Sequence, residues 1–515
     1  MQDSEMPEAL RRDLEKAAKR IRAAKDFLIV AHIDADGISS AAIATETCRR
    51  LGKDYDMLFA KKMDEMTIDA INSSKRDLVW IVDLGSGYLS SYTRDNIVVT
   101  DHHVPDTKWK RGQLTFDSFR IIEHVNLHSY GMDGSVEGCG ATMTYLVART
   151  VNEYNKDLAY LAVVGACGDI QDRVGYRLTG LNEIILKDAV DNGDVVVKKD
   201  LRLFGRETRP IVQFFQYSND PAIPGLTEDC DGCVKMLQRH NVETRRNGRP
   251  TVWDDLTDEE KEPICSEIRE LVDPEDADAI YGDVYTLPKF PRAGGLRDAK
   301  EFATSLNSCG RYDDAETGMR ICYGDEKAVK DAENNRSEHR RNISAALQYV
   351  KQNDLIRVRN YIQYFDSGSE IKETVVGIVA GMILSSNIVK KDIPILAFAM
   401  ADDGVKVSAR ADKSLGKKGL DLSKIMSHAS EKVGGYGGGH NVAAGATIPE
   451  DKKEEFLDIV EDMSVRSSLE QRVQHRFLSM QTVLRLVEHD ALGAFYDLIG
   501  DLLAAVAGET VHDDA

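Results

Sequence analysis

Short apolar runs that end abruptly in acidic or imidazole residues recur along the first third of the chain. Residues 27–37 read FLIVAHIDADG: five apolar or small residues, then His32, Asp34 and Asp36 at every second position. In an extended chain that spacing puts all three on one side, at a strand's carboxyl end, where open α/β sheets keep their sites. LVWIV (78–82) ends in Asp83, residues 97–100 end in Asp101, His102 and His103, and the apolar run 158–166 ends in Gly168 and Asp169. Leu10, Leu14, Ala17, Ala18 and Ile21 mark an amphipathic helix before the first run, and residues 38–51 read as a helix after it. This alternation predicts an α/β fold with a doubly wound, mostly parallel sheet. Any one of these aspartates could simply cap a helix. Four such ends, in a chain with neither a G-x-G-x-x-G nor a Walker loop, point to a shared site.

The texture changes at Leu201. LRLFGRETRP, carrying Arg202, Arg206 and Arg209, opens a Pro- and Asp-rich region that reaches about residue 295, with helices expected over 257–272 and 296–311. The basic residues Arg336, Arg340, Arg341, Lys351, Arg357 and Arg359 are expected on a connecting helix. They would form either a wall for single-stranded nucleic acid or a solvated bridge. Beyond Asp366 a second, smaller α/β unit is expected: a helix over 373–384, a hairpin from 393–400 and 404–409, then the glycine run Gly434 to Gly439 and His440. Glycines let backbone amides approach a phosphate, and Arg410 adds a forked donor. Residues 451–515 read as helical, with Leu492, Phe495, Tyr496, Ile499, Leu502 and Leu503 forming a stripe. The expected division is 1–195 for the metal-binding domain, 196–335 for a mostly helical linking region, 336–365 for the connecting helix, 366–460 for the second α/β domain and 461–515 for terminal helices.

At 515 residues there is room for two or three domains. A net charge of −20 argues against a general coat for DNA, but not against a nuclease, because carboxylates that hold metal count as negative in the tally. The eight cysteines are scattered and do not form a disulfide framework, and Cys230-x-x-Cys233 lacks the second pair of a structural zinc site. No secretion segment opens the chain, and the run 375–384 is shorter than the roughly 20 residues a bilayer requires. A cytoplasmic protein without membrane association is the expectation. Several carboxylates packed together are untenable without cations. Mixed carboxylate and imidazole donors suit two manganese ions, with magnesium as a substitute. Paired divalent ions suit phosphodiester hydrolysis.

HIDADG, the strand end at Asp83, TDHH at 100–103 and GD at 168–169, in this order, resemble the four motifs of the DHH phosphoesterase superfamily. The resemblance implies His32 and Asp34 on one metal, Asp36, His102 and Asp169 on the other, Asp83 bridging both, and His103 beside the scissile phosphate. LFGRETRP, the LRDAKEF…LNSCGR run and the GGGH segment resemble the archaeal RecJ-like branch. That implies a DHH-associated domain whose Ser408, Arg410, Gly438, Gly439 and His440 bind substrate phosphate. The implied activity is that of a two-metal exonuclease in DNA replication or repair, specific for single strands and running 5′ to 3′ on DNA, with RNA as the alternative substrate. In that reading a cleft between the domains admits one strand. Two rivals are an oligoribonuclease or cyclic-dinucleotide phosphodiesterase, and a replication scaffold that docks a GINS-type partner.

Overall fold

Five parallel strands form the first sheet: β1 (Asp26–His32), β2 (Asp54–Ala60), β3 (Leu78–Val82), β4 (Ile97–Asp101) and β5 (Ile122–Asn126), in the order 2-1-3-4-5. They are seen in a computed structural model that describes residues 2–106, 122–218, 221–292, 294–386 and 388–465. The inner strands are apolar on both faces, as a sheet covered on both sides demands. Phe27, Ile29, Trp80 and Val98 pack into one core with α1 (Glu8–Ala23) and α2 (Ala35–Arg50). Leu28, Val30, Val79 and Ile81 pack into another, with Ile71 of α3 (Glu65–Ser73) and Tyr92. After β1 the chain crosses by α2 to β2 on one side, then returns to β3 on the other. The strand order therefore reverses between β1 and β3.

Helices α4 (Gly140–Val151), α5 (Ala159–Gly168) and α6 (Leu181–Asp191) complete the first layer. The run ending at Asp169 corrects the strand-like reading: it is α5, buried along all of its length up to Cys167. A helix surrounded by core is apolar all round and loses the period that separates helix from strand. β2 and β5 were not anticipated. β2, DYDMLFA, is half-exposed and acidic at its start, unlike its neighbours.

β6 (Val196–Leu201) pairs antiparallel with a returning strand, and between them lie α7 (Ile211–Gln216), α8 (Cys230–Arg239) and α9 (Asp258–Leu271). This insertion has its own core of Phe214, Phe215, Trp253 and Ile264. The returning strand, β7 (Tyr281–Thr286), leads to α10 (Ala299–Arg311), which packs on α2 and α5.

The chain divides into two compact units at residue 341. The connecting helix expected over 336–365 starts and stops earlier, as α11 (Glu326–Gln352), and a short strand, β8 (Arg357–Val358), follows it. β9 (Gln363–Asp366), α12 (Glu373–Ser385), β10 (Ile395–Ala401), β11 (Gly404–Arg410), α13 (Leu422–Lys432), β12 (Tyr436–Gly439) and β13 (Ala443–Ile448) follow. Their sheet runs β8-β9-β10-β11-β13-β12, mixed in direction, with α12 and α13 in separate cores on its faces. Arg359 does not belong to a free basic wall: it is paired with Asp458 at 2.6 Å and Glu454 at 2.7 Å. The terminal stripe from Leu492 to Leu503 lies outside the described residues. Among the described residues no helix is long and apolar enough to cross a membrane.

Candidate metal centre

The point where the strand order reverses is also where the acidic and imidazole residues gather. β1 stops at His32, so the alternation expected for His32, Asp34 and Asp36 does not occur. Instead the chain turns at once into α2. Asp34 caps that helix, accepting from the Gly37 amide at 2.9 Å, and Asp36 lies in its first turn. The capping role and the site role are held by the same aspartate. His32 Nδ1 lies 3.0 Å from the Asp34 carboxylate and 3.6 Å from that of Asp83.

Asp83 follows β3 in a left-handed conformation with φ +59°, which aspartate tolerates better than most residues. The start of α4 presses against it, and a Cβ on Gly140 would sit 2.4 Å from the Asp83 Cβ. The amides of Gly140 and Ala141 donate to the two oxygens of Asp36 at 2.7 and 2.8 Å. The small residues around Cys139 therefore serve close packing, and the Asp36 carboxylate takes the helix terminus that could have met a phosphate. His102, from the end of β4, places Nε2 3.4 Å from Asp83 and 3.8 Å from Asp36. Its Nδ1 lies 2.6 Å from the Gly134 carbonyl and 3.8 Å from Asp169. Donating Nδ1–H to Gly134 aims Nε2 at the carboxylates, where it could ligate a cation once deprotonated.

Three sets of ligand atoms each lie within 4.8 Å of one another: His32, Asp34 and Asp83; Asp36, His102 and Asp169; and Asp83, Asp101, His102 and His103. The six residues expected to converge are thus brought together. Burial and repulsion by Asp83 push the Asp36 carboxyl well up. Burial also raises Asp169, against the attraction of His102. Burial opposes protonation of His102 and His32, yet the surrounding carboxylates hold both well above the usual imidazole value. Burial would raise Asp83 too, but contacts with His102 and His32 keep it low. His32 Nδ1 and Asp83 Oδ1 are buried without a well-formed hydrogen bond. Orphaned donor atoms among crowded carboxylates fit hard divalent cations.

His103 is directed by a residue that sequence reasoning passed over. Asp101, fully buried, accepts from His103 Nδ1 at 2.8 Å, from the amides of His102 and His103, and from the Ser86 amide at 2.9 Å. Burial works against both ions of this pair, but their contact holds Asp101 low and His103 high. Asn126 donates to the His103 carbonyl and to Ser86 Oγ, which also meets buried His124. His103 keeps its ring over half exposed, at 56%.

α10 was also passed over as part of the site. Asn307 Oδ1 accepts from the Ala35 amide at 2.9 Å, and a Cβ on Gly310 would lie 1.7 Å from the Ile33 carbonyl oxygen, so this helix lies flat on the HIDADG turn. Arg311, next in the chain, is half-buried within electrostatic reach of Asp34. LNSCGR was the visible signal, although its partner is 272 residues away.

The residues expected to bind substrate phosphate lie in the second unit. Ser408 and Arg410 share a face of β11 beside α12, where a Cβ on Gly377 would lie 2.8 Å from Arg410 Nη2 and 3.0 Å from Ser408 Oγ. The glycine run is ordered as an edge strand: Gly438 pairs with Gly445, Gly439 has φ +141°, and the His440 amide donates to Ala443 at 2.8 Å. β13 separates the two sets.

Three family models match along the chain: "DHH family, N-terminal domain" at 26–166, "DHH-CID domain" at 203–274 and "DHHA1 domain" at 358–464. An uncharacterized protein of Methanocaldococcus jannaschii is 29% identical over 442 residues, covering 84% of this chain and 92% of that one. Among solved structures, RecJ of Thermus thermophilus in complex with Mn2+ is 16% identical, with TM-score 0.52 over 89% of this chain. The chain spans about half of that longer protein, 55%. An exonuclease RecJ bound to manganese is 16% identical, with TM-score 0.52 over 90% of this chain and 96% of that one. Cdc45 of Entamoeba histolytica is 10% identical, with TM-score 0.59 over 89% of this chain and 99% of that one. At these identities the solved structures share the fold.

Proposed function

The chain belongs to the DHH family, a hydrolytic superfamily, and on that premise we propose that it is a metal-dependent exonuclease that removes nucleotides from the 5′ end of single-stranded DNA. The observation that carries this reading is the convergence of His32, Asp34 and Asp83 with Asp36, His102 and Asp169 in one space at the switch point of the sheet. His32 and Asp34 would hold one divalent cation, Asp36, His102 and Asp169 the other, and Asp83 would lie between them. Divalent ions, manganese or magnesium, would supply Lewis-acid stabilisation of the phosphoryl oxygens and lower the pKa of a water when bound there.

The remaining work falls to the chain's own side chains. Gly134 fixes the His102 tautomer, and Gln171 Nε2 steadies Asp169 with a 2.7 Å hydrogen bond. Asp101 holds His103 in one orientation and favours its protonated form, so that His103 Nε2 can donate to an oxygen gaining charge. Arg311 adds a positive charge within electrostatic reach of Asp34. Ser408, Arg410, Gly438, Gly439 and His440 are assigned to the phosphates of the strand. The fold shared with an exonuclease RecJ bound to manganese supports the choice of metal and of exonucleolytic hydrolysis.

Single strands labelled separately at their 5′ and 3′ ends and incubated with manganese should yield labelled mononucleotides first from the 5′ label. Full activity in an Asp83→Ala variant would refute the proposal. A second reading, docking into a replication complex through a GINS-type partner, draws on the fold shared with Cdc45 over 99% of that protein. Pull-down with Asp83→Ala as bait separates docking from hydrolysis.

A further inference from the structure

LRLFGRETRP contributes three arginines, and the structure treats them differently. Arg202 is paired with buried Asp172 at 2.6 Å, and Arg206 is enclosed by Asp254, Asp200 and Asp298 at 2.8 to 3.3 Å. Neither can meet a ligand. Among the described residues, the guanidinium of Arg209 makes no hydrogen bond or ion pair, although its five N–H groups are strong donors. It sits 4.8 Å from the centre of the Phe204 ring and 5.9 Å from that of Tyr217. Those rings are themselves exposed, at 38% for Phe204 and 54% for Tyr217.

The arrangement is built. Gly205 has φ +98°, and a Cβ there would lie 2.4 Å from Arg209 Cδ, so the arginine stem is laid across a residue that must be glycine. The nearby Glu301 carboxylate faces inward, accepting from the Glu207 amide at 2.8 Å and from the Thr208 hydroxyl. Arg340, exposed, is near enough for its charge to be felt at Arg209. Exposed aromatic rings beside a planar cation stack nucleobases without sequence preference, and the same cation takes a phosphate.

We propose that Phe204, Arg209 and Tyr217 form a stacking platform for a single nucleic-acid strand, with Arg209 holding a backbone phosphate between bases that lie on the two rings. This rests on the nuclease reading and adds to it a place where the strand is held away from the metal centre. Glu301, within electrostatic reach of Arg209, and Arg311, within reach of Asp34, lie ten residues apart on α10, which at 1.5 Å per residue is about 15 Å. The platform therefore contacts bases a short way along the strand from the one being cut.

Fluorescence anisotropy with a labelled thymidine 20-mer, in EDTA so that nothing is cleaved, tests the platform. The double variant Phe204→Ala/Tyr217→Ala should bind roughly 5- to 150-fold more weakly, and Arg209→Ala by a similar factor. An abasic 20-mer of equal charge should bind the wild type at least about five-fold more weakly than the thymidine strand, with no further loss in the double variant. Unchanged affinity in both folded variants, or equal binding of abasic and thymidine strands by the wild type, overturns the platform. The wild-type abasic comparison decides the matter even where a variant fails to fold. Cleavage by the wild type in manganese is scored separately, so loss of the nuclease reading and loss of the platform are distinguishable.

Discussion

Two clusters of acids, in the sheet domain and around the insertion, use the same residue type to opposite ends. Around the insertion, Asp200, Asp254 and, from the start of α10, Asp298 surround Arg206, Lys261 reaches Asp200 at 2.8 Å, and the Trp253 indole donates to Asp200 at 2.9 Å. Burial would raise Asp200, but Arg206 and Lys261 hold it low. At the end of the parallel sheet, among the described residues, Asp34, Asp36, Asp83 and Asp169 meet the imidazoles of His32 and His102, with His103 and Arg311 within electrostatic reach, and a carboxylate oxygen and a ring nitrogen are left buried without hydrogen bonds. One cluster carries its counterions in the chain. The other is a candidate to draw them from solution, a contrast that separates a structural acidic cluster from a candidate metal centre more surely than a count of aspartates does.

Asp83→Ala should break the metal side of this contrast with the largest effect, lowering manganese-dependent hydrolysis by at least about 100-fold, beyond what outer-shell partners usually cost. Single-turnover digestion of a labelled strand measures it. Arg206→Leu should break the other side, because it leaves three aspartates facing a buried gap. About 3–5 kcal/mol of unfolding free energy should be lost in denaturant melts, with or without manganese.

Titration sharpens the comparison further. His32, His102, Asp36 and Asp169 all hold protons more tightly than ordinary groups of their kind when no cation is bound. Ligation requires them deprotonated, so manganese affinity should fall about ten-fold per pH unit for each displaced proton as pH drops from about 8 to about 6. Calorimetry in buffers of different ionisation enthalpy counts the protons released. The smallest effect is expected from Asp169→Asn, which keeps an acceptor for Gln171 while removing repulsion from Asp83. The metal-free protein should melt on the order of 2–4 °C higher, and manganese should raise its melting temperature less than it does for the wild type.

The candidate cluster was legible because its members stand beside apolar runs, and a parallel sheet sends the ends of β1, β3 and β4 to one edge, where the end of α5 joins them. Its geometry was less legible. Alternation was the wrong reason for uniting His32, Asp34 and Asp36, since a turn into α2 does it instead. The α5 run reads equally as strand or helix because burial on every side erases its period. Asp101, Asn307 and Arg311 escaped notice because their importance lies in what they touch, and for Asn307 that contact comes from 272 positions away. The glycine run, legible as special by composition, is an edge strand rather than a loop, a distinction settled by its pairing with Gly445.

The clasp of α10 on the HIDADG turn bears on when the molecule becomes competent. Ala35 and Ile33 are synthesised long before Asn307 and Gly310 arrive to seat them. A growing chain that has already made every proposed metal ligand still lacks the helix that steadies the first of them. Arming of the centre is thereby tied to completion of the whole first unit.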